Sequence, residues 1–161
     1  MRTGKTTRAL EHALTIASKG TLVTPPTSIH YTISTVLSWL SFGLFDIASY
    51  LEKKAGWKTW NVFYVVPTHS QTFNITKTLQ HIEQDFPATF QWKQRSTIID
   101  FQHLARGGTL RVVTLHNLSR TLCGHRNVYA IFDHYTLETG IPEHLQPVYK
   151  HSLDLPTKTT L

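Results

Sequence analysis

The sequence predicts an α/β fold, a mostly parallel sheet flanked by helices, and three observations carry that expectation. A glycine, a lysine and two hydroxyls stand in succession at Gly4-Lys5-Thr6-Thr7, and a helical repeat begins at once behind them. Two apolar runs, 61–67 (NVFYVVP) and 128–132 (VYAIF), have the β-branched and aromatic content of strands buried on both faces. Stretches of helical period lie around these runs, and such alternation marks parallel sheets whose ligands sit at the carboxyl ends of the strands.

Taken in order, the first helix is read from Leu10, Ala13, Leu14 and Ala17, which fall on one face at i, i+3, i+4 and i+7. Lys19-Gly20 supplies its terminal cation and cap. Pro25-Pro26 makes the next stretch a connector. From 29 to 51 an apolar stripe recurs at Ile29, Ile33, Val36, Leu37, Leu40, Leu44, Ile47 and Leu51, widened by Trp39, Phe42 and Phe45. Its length approaches the roughly 20 residues that span a bilayer. Its serines and Asp46 argue against a membrane span, because a charge at mid-bilayer costs about 2.5 to 3.5 kcal/mol. The stripe therefore reads as an amphipathic helix packed on the domain, with a partner-docking helix as the second reading.

Beyond Gly56, the strand at 61–67 leads through Thr68, His69 and Ser70 into a helix at 71–85, with Phe73, Ile75, Leu79 and Ile82 expected inside. Short strands at 89–92 and 97–101, a turn at Arg106-Gly107-Gly108, a strand at 109–115 and a helical turn at 117–123 closed by Gly124 follow. The strand at 128–132 ends in Asp133, and one short helix is expected near Glu143 and Gln146, before a tail from about 152 expected to be flexible. The expected organisation is one domain, 1–161, with a helical insertion at about 25–58.

Composition sets bounds on function. With 161 residues, 40% apolar and 16% charged, the chain is globular and too short for two nucleotide-motor lobes. A net charge of +6 permits a nucleic-acid partner without requiring one. The single Cys123 rules out an intrachain disulfide, and no basic n-region with a cleavage site opens the sequence, so a cytoplasmic location is expected.

The chemistry begins at Gly4-Lys5-Thr6. A glycine lets backbone amides approach phosphate, a lysine reaches the outer phosphates, and a hydroxyl ligates Mg2+ at a helix N-terminus. In the full loop, G-x-x-x-x-G-K-[ST], an earlier glycine and a strand would fall ahead of Met1. A distant hydrophobic strand ending in aspartate holds the Mg2+ of such sites, and 128–132 with Asp133 has that form.

Together with the strand and turn at 63–71 (FYVVPTHSQ), Gly107-Gly108-Thr109-Leu110-Arg111-Val112, and Leu122-Cys123-Gly124-His125-Arg126 leading into Ile131-Phe132-Asp133-His134, these residues resemble the ATPase lobe of phage large terminases and helicases. The resemblance implies a P-loop fold of RecA or terminase type, binding of ATP with Mg2+, and DNA as partner in a virus-encoded protein, in the host cytoplasm. It implies that Gly4, Lys5, Thr6 and Thr7 cradle the phosphates, that Lys5 contacts the β and γ phosphates, and that Thr6 and Asp133 hold the ion. His134 stands where the family carries a catalytic glutamate; as an imidazole it is a competent base near pH 7, with a backbone-bonded strand-end histidine as the plainer reading. Glu138 is the nearest acidic alternative. The Pro67-Thr68 turn matches one that touches a nucleic-acid backbone in that family, whereas an ordinary helix N-cap would also explain Thr68 and Ser70. Nothing after Asp133 resembles a second lobe, a nuclease or an arginine finger, so motor activity would need a homo-oligomer or a separate subunit. The competing expectation is a non-catalytic adaptor that keeps the fold and binds a protein or DNA.

Lys93, Arg95, Arg106, Arg111, Arg120 and Arg126 face one acid, Asp100, in their stretch of sequence, with Phe90, Trp92 and Phe101 interleaved. Basic side chains release counterions from a phosphate backbone and rings stack bases, so this stretch is the expected nucleic-acid surface; a solvated charged face is its alternative. Ten histidines include no H-x-x-x-H or H-E-x-x-H pair. Cys123 is expected to be a small buried thiol rather than a nucleophile.

Overall fold

The computed structural model describes residues 4–22, 36, 39, 40 and 56–154. The chain forms two units, Met1–Gly20 with Thr59–Leu161, and Thr21–Lys58. In the smaller, β1 (Thr21–Leu22) pairs antiparallel with β2 (Trp57–Lys58), bringing the two ends of the intervening segment side by side. The stripe predicted at 29–51 lies outside the described residues except for Val36, Trp39 and Leu40, which are helical and exposed.

The larger unit is built on a five-stranded sheet of order β4-β5-β6-β3-β7. Its strands are β3 (Asn61–Val66), β4 (Gln91–Lys93), β5 (Ile98–Asp100), β6 (Thr109–Thr114) and β7 (Val128–Phe132). β3 lies between β6 and β7 and pairs parallel with both, in the register Tyr64↔Val112 and Tyr64↔Ile131. The α/β class is as expected, but the sheet is mixed, because β4 with β5 and β5 with β6 are antiparallel. The cause is chain length: four residues join Lys93 to Ile98, and a parallel connection needs about a dozen or more.

Helices cover both faces. α1 (Lys5–Lys19) and α2 (His69–Asp85) belong to a core with Val62, Tyr64, Val66, Leu110, Val112 and Tyr129. On the other face Phe63, Val65, Ala130 and Phe132 pack with Leu118 of α3 (Leu115–Leu122), with Leu145 of a 3-10 turn (Glu143–Leu145), and with Val148 and Tyr149 of α5 (Gln146–Asp154). The apolar run predicted to be buried on both sides is so: Val62 through Val66 are fully buried.

α1 buries Leu10, Ala13, Leu14 and Ala17, as its period predicts, and ends at Gly20. It runs antiparallel to β6, because the carbonyl of Ala17 near its end accepts from the Gly108 amide at 2.7 Å, at the start of that strand. Close approach there requires glycine: a Cβ on Gly108 would lie 1.9 Å from the Trp60 carbonyl oxygen, and one on Gly107 1.7 Å from that of Phe101.

Four expectations need correction. Phe73 is 62% exposed and Lys77 lies over its ring, because α2 begins at His69 and turns Thr72, Ile75 and Leu79 inward. α3 starts at Leu115, ahead of the expected 117. A helix that the sequence reading lacks, α4 (His134–Thr139), begins directly after β7, because Asp133 caps it by accepting from the Tyr135 amide. Cys123 is exposed, since it lies just past the end of α3. Among the described residues no helix is long and apolar enough to cross a membrane.

Candidate functional site

The carboxyl ends of β3 and β7 meet the N-terminus of α1. Gly4 caps that helix in the left-handed conformation, φ 63° and ψ 2°, with no side-chain cap. A glycine adopts this backbone without the Cβ penalty that other residues carry. The first amides of a helix have no intrahelical acceptor and carry its positive dipole end. Lys5 is exposed beside them, and Thr6 and Thr7 are partly buried.

Across this helix end stands Asp133, 1% exposed. Its Oδ1 accepts from Thr6 Oγ1 at 3.3 Å and from the Tyr64 hydroxyl at 2.5 Å, and its Oδ2 accepts from the Tyr135 amide at 3.2 Å. Backbone fixes the same group: the Asp133 amide and the Thr136 hydroxyl both donate to the Val65 carbonyl, each at 2.9 Å. A buried carboxylate without such donors would cost several kcal/mol. Burial, and then the bond to Asp133 and its charge, push the Tyr64 hydroxyl far above the ordinary tyrosine value, so it stays protonated and donates.

Two predicted partners are thus brought together from opposite ends of the sequence, Thr6 and Asp133. Their oxygens suit a hard cation, and one carboxylate plus phosphate oxygens is a usual Mg2+ arrangement. Among the described residues no group of three or more His, Cys, Asp or Glu is placed to hold a metal, so an ion here would depend on ligand oxygens.

His134 follows Asp133 and its Nε2 lies 3.0 Å from Glu138 Oε1, one turn along α4. The histidine and its acidic alternative therefore form a single pair. With Nε2–H donating to the carboxylate, the neutral ring keeps Nδ1 as an acceptor.

Thr68 is exposed at the N-cap of α2, on the same edge of the sheet, but makes no side-chain cap bond; its hydroxyl is 3.0 Å from that of Ser70.

The six basic residues do not form one strip. Lys93 is ion-paired to the buried Asp100. Arg95 is exposed at the β4–β5 hairpin tip, in a turn where Gln94, Arg95 and Ser96 all have positive φ. Arg106 and Arg126 lie at the opposite edge, just ahead of β6 and β7, and Arg120 is exposed late in α3. Arg111, on β6, is partly buried with its Nε unbonded. Burial, with the Arg111 charge second, lowers the pKa of the neighbouring His125. The interleaved rings are not base platforms: Phe90 and Phe101 are core residues, and Trp92 donates to Glu83 at 2.9 Å. Strand alternation and the hairpin send neighbours in sequence to different faces.

Tyr64 is the site residue that the sequence reading lacks. Its signal was a hydroxyl inside an otherwise apolar buried run, since a buried tyrosine O–H usually finds a partner. No protein-family model matches this chain, and comparisons with curated proteins and with solved structures find no match.

Proposed function

We propose that this chain is a P-loop ATPase domain of the kind found in DNA packaging motors and helicases, binding ATP with Mg2+ at the carboxyl edge of its sheet. The observation that carries this reading is the 3.3 Å contact between Thr6 Oγ1 and Asp133, 127 residues apart. A helix-capping glycine, an exposed lysine and a helix N-terminus without a side-chain cap surround it. In this reading Gly4 and the amides of Lys5, Thr6 and Thr7 cradle phosphate, and Lys5 meets the outer phosphates. Thr6 and Asp133 hold Mg2+, which when bound neutralises charge developing on the phosphates. His134, oriented by Glu138, accepts a proton from water. Thr68 on the same edge, with Arg95, Arg106, Arg111, Arg120 and Arg126 elsewhere, supplies DNA contacts. Work on DNA calls for an oligomer or a separate motor or nuclease subunit, in the cytoplasm of the host cell.

A second reading has its own support. Three donors of the chain, Thr6, Tyr64 and the Tyr135 amide, already bond Asp133, and His134 stands where the family it resembles carries a glutamate. A non-catalytic adaptor that keeps Asp133 as a structural cap fits those two facts. Calorimetric titration of ATP-γ-S and Mg2+ into the chain and into Lys5→Ala separates the readings. Micromolar binding that Lys5→Ala abolishes is expected for the ATPase domain. No heat with either protein selects the adaptor.

A further inference from the structure

Tyr64 sits in the central strand of the sheet, fully buried, with its hydroxyl 2.5 Å from Asp133 Oδ1. Thr6 Oγ1 donates to that same oxygen at 3.3 Å. A threonine hydroxyl has one proton and two lone pairs. With its proton committed to Asp133, the lone pairs of Thr6 are turned away from the carboxylate. That is the orientation in which the oxygen can meet a cation without losing its bond to Asp133.

The carboxylate can direct Thr6 in this way if it does not itself rotate. Its Oδ2 is held by the Tyr135 amide and its backbone by the Val65 carbonyl. The short bond from Tyr64 fixes the remaining oxygen, on the side facing Thr6. Tyr64 and Val65 are consecutive in β3, so one strand grips both the side chain and the backbone of Asp133.

We infer that Tyr64 is a positioning residue: its hydroxyl locks Asp133 so that Thr6 presents its lone pairs to a divalent cation bound with a nucleotide. The inference rests on the nucleotide-binding reading above. It goes beyond that reading by separating metal-dependent from metal-independent binding. Lys5 and the helix amides meet phosphate directly and act with or without metal, whereas Tyr64 acts through Asp133 and Thr6 alone.

The test is titration of ATP-γ-S into wild type and Tyr64→Phe, once with Mg2+ and once with EDTA. Residues that orient metal ligands typically change metal affinity by about 10- to 100-fold. Tyr64→Phe is expected to reduce the gain in nucleotide affinity that Mg2+ confers by about tenfold, while leaving the EDTA affinity unchanged. An equal gain in both proteins overturns the role of Tyr64 and leaves nucleotide binding intact. Equal losses with and without Mg2+ also overturn it, since they would report a packing defect. No binding by wild type under either condition removes both readings together.

A second measurement needs no variant. The Tyr64 hydroxyl proton, buried and bonded to a carboxylate, is expected as a slowly exchanging downfield proton resonance that persists when Mg2+ and ATP-γ-S are added. Its disappearance on loading would show that the bond to Asp133 breaks when the site fills, which is incompatible with a positioning role.

Discussion

At the carboxyl end of the sheet, two hydroxyls from distant stretches and one neighbouring amide converge on one buried carboxylate, whereas at the amino end backbone bonds, joined by those of the Asn61 side chain to Thr109 and Arg126, tie the elements together. The Thr6 and Tyr64 hydroxyls and the Tyr135 amide donate to Asp133 at the first. At the second, Gly108 donates to the Ala17 carbonyl at 2.7 Å, Asn61 to that of Asn127 at 2.8 Å, and Thr109 to that of Trp60 at 3.3 Å. The difference separates the end that anchors α1 from the end proposed as the site. Backbone contacts at glycines admit no side chain and hold the far end of α1. The near end has exposed Lys5 beside amides that lack intrahelical acceptors and a side-chain cap.

The largest expected effect is on the anchored end. Gly108→Ala places a methyl 1.9 Å from the Trp60 carbonyl and displaces the bond to Ala17. Overpacking costs about 1 to 3 kcal/mol and a lost hydrogen bond about 1 more. A destabilisation near 3 kcal/mol is expected in urea unfolding, with any nucleotide affinity per folded molecule unchanged. A variant as stable as wild type would mean that the two ends do not differ as described.

Next comes the carboxyl end itself. Asp133→Asn keeps the shape but replaces an acceptor-only carboxylate with a group that must point its amide at one of three donors. Bonds to a charged group contribute about 1.5 to 3 kcal/mol each, so a loss of about 2 kcal/mol is expected by thermal unfolding, together with loss of any Mg2+-dependent binding. A stabilised Asp133→Asn would sharpen the contrast in the other direction, since it would mean that the carboxylate is retained for a ligand at a cost to the fold.

Much of the central region was legible in the sequence because its signals are periodic or positional. The face of α1, the double burial of β3 and the aspartate ending β7 each follow from spacing, and parallel pairing then carries strand ends to a common edge. The hairpin edge was legible only as two short strands. Nothing in Thr97 to Asp100 announces its direction; the four-residue connection does, through geometry rather than composition. α4 escaped notice because six residues are too few to show a helical period, although Asp133 was itself the cap. Tyr64 was concealed by its setting, since tyrosine in a buried strand reads as apolar filling until its partner is known. The basic run misled because adjacency in sequence is not adjacency in space. Phe90 and Phe101 went to the core, and Lys93 went to Asp100.

That last pairing gives the smallest expected effect and tests the dispersed charges directly. Burial alone would raise the Asp100 carboxyl, but bonds from Lys93 and from the Gln102 amide, with the Lys93 charge, hold it below its ordinary value of 3.8. A carboxyl lowered by folding adds stability that is present above 3.8 and is lost as the pH falls through its native value. Lys93 is 57% exposed, so solvent screens the pair. Lys93→Met is therefore expected to cost only about 1 kcal/mol at pH 7. The gap between variant and wild type should begin to narrow below pH 3.8 and close as the pH passes the lower native value of Asp100. Urea unfolding at pH 7 and pH 3 measures this. In parallel, for the DNA binding proposed above, the salt dependence of affinity is expected to be unchanged in Lys93→Met and weaker in Arg126→Ala, because a lysine already committed to Asp100 releases no counterion from a phosphate backbone. Equal salt slopes for the two variants would return Lys93 to the nucleic-acid surface and make the ion pair incidental.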